Sequence, residues 1–250
     1  MDKIKTTHVG SLPRSKKLSE ILFKKDKNEL FDQGELDKII EEDVNKIVKK
    51  QIDIGIDIIS DGEMSKISYA TYVKDRLHGF SGESERRAPK DLDDFPSYKE
   101  KIAKSGGTPT YTRPCCTADL KIKDTKSLTK DISNLKSALK KNNHSQGFIN
   151  SASPGVISNF LPNKFYKNDD DYLEALSKMM KTEYDEITKN DLLLQIDCPD
   201  LALARHMTFK NVSDEEFLVR AEKQIECLNE AIKDIDAVSY THLRAHETKT

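Results

Sequence analysis

Apolar and polar positions follow two rhythms along the chain. Short apolar runs end in Gly, Pro or acidic residues, and longer stretches with a helical period follow them. The first run is Thr6-Thr7-His8-Val9, closed by Gly10-Ser11-Leu12-Pro13. A helix is predicted from about Glu35 to Asp53. Leu36, Ile39, Ile40, Val44, Ile47, Val48 and Ile52 form its apolar stripe, and Gly55 is placed to stop it. The second run, Ile56-Asp57-Ile58-Ile59-Ser60, ends in Asp61-Gly62-Glu63. A weaker third run covers Thr110 to Thr117, and a helix around Leu128, Ile132, Leu135 and Leu139 follows it. The fourth, Gly147-Phe148-Ile149-Asn150, ends in Ser151-Ala152-Ser153-Pro154-Gly155. It precedes a helix carrying Tyr172, Leu173, Leu176, Met179, Met180, Tyr184 and Ile187. The fifth, Leu192-Leu193-Leu194-Gln195-Ile196, ends in Asp197-Cys198-Pro199-Asp200. The last helix opens with a capping box, Ser213 and Glu216, and carries Phe217, Leu218, Ala221, Ile225, Leu228 and Ile232.

Strands alternating with helices indicate an α/β fold with a parallel sheet and helical crossovers. Five strand units are visible, whereas a closed β/α barrel needs eight. An open doubly wound sheet is the alternative, but no G-x-G-x-x-G turn follows any strand, so the usual dinucleotide signature is missing. Residues 79–108 are rich in charge and turn formers and read as a loop excursion from one domain. The length, 250 residues, suits one large domain.

Charge narrows the partners. The 41 basic and 43 acidic residues nearly cancel, which argues against a general electrostatic role on nucleic acid or membrane. No apolar run approaches the ~18 residues that a membrane span needs, and the first residues do not read as a secretory signal. Four Cys without a disulfide framework fit a reducing, cytoplasmic setting.

In parallel α/β folds, ligands bind at the C-terminal strand ends. Here those ends are polar, and Glu63 and Asp197 are the informative pair. Two carboxylates facing one pocket can hold a ligand ammonium or serve as general acid and base. They can equally cap the following helices, and spacing alone leaves the two readings level. Gly10-Ser11 can present backbone N–H groups to an anion, though an ordinary strand-to-loop turn explains it more simply. A lone His such as His8 near a strand end is more often a hydrogen-bonded wall residue. His206 beside Arg205 fits an exposed basic loop better than an anion contact. The acidic neighbours of Cys198 favour a packed, inert thiol. Adjacent Cys115 and Cys116, if on a strand, face opposite sides, so at most one points into a barrel, and neither belongs to a C-x-x-C zinc pattern.

Three segments together carry a resemblance. Thr6-Thr7-His8-Val9-Gly10-Ser11-Leu12-Pro13-Arg14 resembles the opening strand of the catalytic domain of the cobalamin-independent methionine synthase family. Gly55 to Glu63 resembles its second strand with an Asp-Gly-Glu end. Leu194-Gln195-Ile196-Asp197-Cys198-Pro199-Asp200-Leu201 resembles its Gln-Ile-Asp-x-Pro strand. The resemblance spans roughly residues 4–236 and points to a divergent subgroup. It implies a TIM barrel and methyl transfer from 5-methyltetrahydrofolate (polyglutamate) to the homocysteine thiol. It also implies zinc to generate the thiolate. By position, Val9, Gly10 and Ser11 match the segment that holds the amino acid's carboxylate, and Glu63 and Asp197 match carboxylates around its amino group.

The zinc ligands that the resemblance implies are a His-x-Cys on the sixth strand, a following Glu and a late Cys. A proposed catalytic His is also late, and none of these matches here. From Ala237 the chain resembles a translated sequencing adapter, so residues 237–250 are expected to be foreign to the domain. His242 and His246 have helix-compatible metal spacing beside Glu247, but that stretch is excluded as a zinc site for the same reason. The expectation is a partial barrel over 1–236 that binds no zinc and is inactive by itself. Rival readings are another zinc-dependent thiol alkyltransferase, such as an epoxyalkane:coenzyme M transferase, or a metal-free binding fragment. A uroporphyrinogen-decarboxylase-like enzyme would need an Arg cluster, which Arg14 and Arg205 do not make.

Overall fold

The computed structural model describes residues 4–85, 90–104 and 111–243. Its central sheet has four strands, β1 (Ile59–Ser60), β4 (Gly147–Ala152), β5 (Leu193–Asp197) and β6 (Tyr240–Leu243), side by side in that order. All neighbours run parallel, and a parallel bridge between Thr7 and Ile58 sets the first run against β1. The sheet is an arc, not closed into a barrel among the described residues. Strand β1 is short, but α2 (Gln33–Asp53) steadies it. The Gln51 amide donates to the Ser60 carbonyl at 2.8 Å and accepts from the Ser60 N–H at 3.1 Å.

The third run behaves differently from expectation. It is not a unit of the parallel sheet. Strand β3 (Cys115–Ile122) pairs antiparallel with β2 (Leu77–Ser81), forming a separate two-stranded ribbon. The excursion expected over 79–108 therefore begins inside a strand. It also contains a one-turn helix, Lys90–Asp94, and α3 (Pro96–Lys104), while 86–89 and 105–110 lie outside the described residues. The ribbon is tied to the main body by a buried ion pair between Arg76, just before β2, and Glu183 of α6 (Asp169–Lys189). Ser151 of β4 completes it, its hydroxyl donating to Glu183 at 2.6 Å.

The helices bury the stripes that periodicity marks. Leu36, Ile39, Ile40, Val44, Ile47 and Val48 of α2 are buried, as are Leu128, Ile132, Leu135 and Leu139 of α4 (Lys126–Lys141). So are Tyr172, Leu176, Met180, Tyr184 and Ile187 of α6. They meet Ile149, Leu194 and Ile196 in one core. A helix not marked by periodicity, α1 (Lys16–Asp26), adds Leu18, Ile21 and Leu22 to that core behind a Ser15 cap. Helix α7 (Asp214–Ile232) forms its capping box, but Leu218 is 58% exposed and Ile225 40% exposed, so its buried stripe is narrower than the sequence suggests.

Strand alternation sorts the side chains. Ile149, Ser151, Leu194 and Ile196 face the helices. Asn150, Gln195 and Asp197 face the other side, where they bond to one another. Beyond β5 the chain forms one-turn helices at Pro199–Leu201 and Leu203–His206, then α7. Residues 240–243, inside the segment expected to be foreign, pair with β5 in register Leu194↔Tyr240 to Asp197↔Leu243. His246 and Glu247 lie outside the described residues.

Candidate functional site

The turn after β1 builds one wall. Gly62 has φ +64°, and a Cβ there would sit 2.9 Å from Met64 Cε and 3.2 Å from Leu12 Cβ, so glycine is required. Glu63 also adopts a left-handed conformation, φ 57°. Asp61 holds it there by accepting from the Glu63 N–H at 2.9 Å, a local Asx turn. The Gly10 loop is tied to this turn. The Leu12 N–H donates to the Gly62 carbonyl at 3.0 Å, and the Arg14 guanidinium donates to the carbonyls of Glu63 (2.7 Å) and Lys66.

The structure brings Glu63 and Asp197 together. One amide, that of Asn150 on β4, donates to Glu63 Oε1 at 2.9 Å and to Asp197 Oδ2 at 3.0 Å. Gln195 donates to Asp197 Oδ1 at 3.0 Å. Lys66 Nζ lies behind the amide and donates to the Asn150 carbonyl (2.7 Å) and to its Oδ1 (2.9 Å). Glu63 is 4% exposed and Asp197 6%. Burial pushes both carboxyls above their ordinary range. For Glu63 the neighbouring Asp61 and Asp197 charges add to that, against Lys66 and Arg14. For Asp197 the Asn150 and Gln195 hydrogen bonds and Lys66 oppose it.

Further buried acids surround this pair. Asp131 on α4 accepts from the Tyr72 hydroxyl at 2.6 Å, and burial, then the Asp61 charge, push its carboxyl up to about 6. Asp200 accepts from Ser153 Oγ at 2.8 Å and is pushed up to about 6 by burial. It packs on α5 (Pro154–Phe160) so closely that a Cβ on Gly155 would lie 2.0 Å from its Oδ2. The Tyr69 phenol is pushed up by burial first, then by the charges of Asp197, Glu63 and Asp200. Tyr69 and Asp200 also line a cavity of about 780 Å³ that reaches Arg113, Asn159, Met207 and Arg220.

The other sequence candidates divide. Gly10 turns with φ +86° beside the site, while Val9 (38% exposed) and Ser11 lie toward solvent. His8 Nε2 is buried with no hydrogen-bond partner among the described residues, unlike the bonded wall residue expected. Cys198 is fully buried, its thiol against the Ile196 carbonyl. Cys115 and Cys116 are both buried, and burial pushes the Cys116 thiol up to about 11. Arg205 is engaged by Asp214 at 2.8 Å. Sequence reasoning missed Lys66, Asn150, Tyr69 and Asp131. Only Asn150 carried a signal, as the polar end of an apolar run.

Among the described residues, no group of three or more His, Cys, Asp or Glu is arranged to hold a metal ion. No helix among them is long and apolar enough to cross a membrane.

Comparison with known proteins gives the chain a family. The chain resembles the methionine synthase of Sulfolobus acidocaldarius, 24% identical over 239 residues that cover 95% of the chain and 60% of the relative. A 75-residue stretch, 30% of the chain, is 29% identical to 5-methyltetrahydropteroyltriglutamate–homocysteine methyltransferase of Lactococcus lactis and covers 10% of it. The chain thus matches about 60% of the length of the first of these curated relatives and 10% of the second. Among solved structures, a putative vitamin-B12-independent methionine synthase from Listeria monocytogenes superposes with TM-score 0.63 at 18% identity, covering 96% of this chain and 65% of that one. A B12-independent methionine synthase from a Shewanella species, in complex with selenomethionine, gives TM-score 0.60 at 18% identity over 82% of this chain and 51% of the other. Both carry the TIM-barrel fold of which this sheet forms an arc. The family model for the catalytic domain of cobalamin-independent synthase matches residues 4–245, and the chain belongs to that family.

Proposed function

We propose that this chain forms the amino-acid side of a methyltransferase site that passes a methyl group from 5-methyltetrahydrofolate (polyglutamate) to the thiol of homocysteine. The observation that carries this reading is the buried Glu63–Asn150–Asp197 bridge. Burial disfavours the charge on both carboxyls, so a cation brought against the pair, beside the amide that bridges them, is favoured. An α-amino acid supplies that cation as its ammonium. Its carboxylate then falls toward the Val9-Gly10-Ser11 turn, whose backbone N–H groups suit an anion. A thiol with a sulfonate and no ammonium leaves the acidic pair unanswered, which favours homocysteine over the coenzyme M type of acceptor.

Methyl transfer needs a thiolate and a proton for the departing folate nitrogen. The cavity beside Tyr69 and Asp200 has a size suited to a folate head. In the family this chain resembles, zinc supplies the thiolate. The described residues offer no donor set that fits it. We also hold that residues 237–250 are foreign to the domain. The pairing of β6 with β5 uses main-chain groups, so it does not depend on which side chains occupy that edge. Clean genomic reads that carry 237–250 unchanged would overturn this second point.

Calorimetry on the purified chain tests the main reading. L-homocysteine should bind with measurable heat, and 4-mercaptobutanoate, which lacks the ammonium, should bind at least about tenfold more weakly. Equal affinities would refute the assignment.

A further inference from the structure

Two buried groups at the centre of the site are neither of the paired carboxylates. Lys66 is 3% exposed and Asn150 is 4% exposed. Lys66 spends two hydrogen bonds on one residue, the carbonyl and the side-chain oxygen of Asn150. Its ammonium also lies 5.7 Å from the centre of the Tyr72 ring. The amide therefore turns its oxygen to a cation and its nitrogen to the two anions. Each carboxylate, one from the turn after β1 and one from the end of β5, takes a bond from that same nitrogen. A flipped amide would set its oxygen against both carboxylates, and Lys66 disfavours that arrangement.

We infer that Lys66 and Asn150 are positioning residues that fix the spacing of Glu63 and Asp197 and keep both charged, so that the site selects a primary ammonium. This rests on the amino-acid reading above and adds the device that makes the pair selective. The amide supplies neutral donors, so it favours the charged carboxylates without competing as a cation. Lys66 acts through Asn150 and does not itself touch the ligand. The charged or titratable groups around the pair are Arg14, Asp61, Lys66, Tyr69, Asp131 and Asp200. Any of these can move an affinity, so the test follows the pH profile as well as its height.

The experiment titrates L-homocysteine and 4-mercaptobutanoate into the whole chain and into Lys66→Met and Asn150→Leu between pH 5 and 8, with circular dichroism as a check on folding. The wild type should prefer homocysteine. Lys66→Met should cut that preference by about tenfold to a hundredfold, the size expected for hydrogen bonds to charged groups. Asn150→Leu should also weaken homocysteine, and its affinity should begin to fall at a higher pH than in the wild type. The carboxylates have then lost the donor that favours their charged form. A merely structural role predicts an equal loss for both thiols and no movement of the pH profile, and either result overturns the inference. Should Lys66→Met not fold, the Asn150→Leu profile decides alone. A wild type that fails to prefer homocysteine refutes the amino-acid reading itself. A wild-type preference kept by both variants refutes only the positioning role.

Discussion

A single carboxyl shows how the site trades stability for charge. Asp200 is buried and its carboxyl is raised to about 6. That is above the ~3.9 of an unfolded chain, so between these values the folded protein holds a proton that the unfolded chain has lost. Stability from this group is therefore fully present below about pH 4 and falls as pH rises to about 6. Asp200→Asn keeps an acceptor for Ser153 and removes the buried charge. Urea unfolding should find it more stable than the wild type by about 1–3 kcal/mol at pH 7.5, with the gain gone at pH 4. An equal gain at both pH values would contradict this. Glu63→Gln and Asp197→Asn should likewise fold, while homocysteine affinity in calorimetry drops about tenfold or more for each, since a hydrogen bond to a charged group is lost. Glu63 and Asp197 were legible as a candidate pair because each follows an apolar run, but only the family resemblance favoured a binding role over helix capping. Lys66 was not, because nothing local marks a lysine whose partner lies 84 residues away.

At the scale of elements, geometry between segments sets the costs. Gly62→Ala would force a positive φ on a side chain and crowd Leu12. A loss of about 1–3 kcal/mol is expected, seen as a lower thermal midpoint, together with weaker homocysteine binding because Glu63 hangs from this turn. Arg76→Met would leave Glu183 buried without its cation. About 3–5 kcal/mol should be lost, read from denaturant unfolding, and a loss below 1 kcal/mol would show the pair to be dispensable. Helices α2, α4 and α6 were legible because burial repeats their period. The ribbon of β2 and β3 was not. The Thr110–Thr117 run has strand composition, but composition does not say whether its partner is parallel or antiparallel. Its true partner, Leu77–Ser81, was hidden between a one-turn helix and a charged excursion.

At the scale of the molecule, an open arc has two edges. Thr7 makes only an isolated bridge at one side, and β6 stands at the other with no further strand among the described residues. Unpaired edges recruit other chains, so light scattering should find an apparent mass that rises with concentration, and a strictly monomeric chain up to high concentration would contradict this. The α/β class was legible from the alternation of runs and the barrel type only through the family resemblance, while the arrangement of the third unit required coordinates. Asn150 sits on β4, between β1 and β5, with one acidic partner in the turn after β1 and the other at the end of β5. A one-residue slip of β4 would swing it to the helix-covered face and leave both acids without their shared donor. The amino-acid capture proposed above is thereby conditional on alignment across the sheet, so a chain whose strands are misaligned should fail to take the ligand.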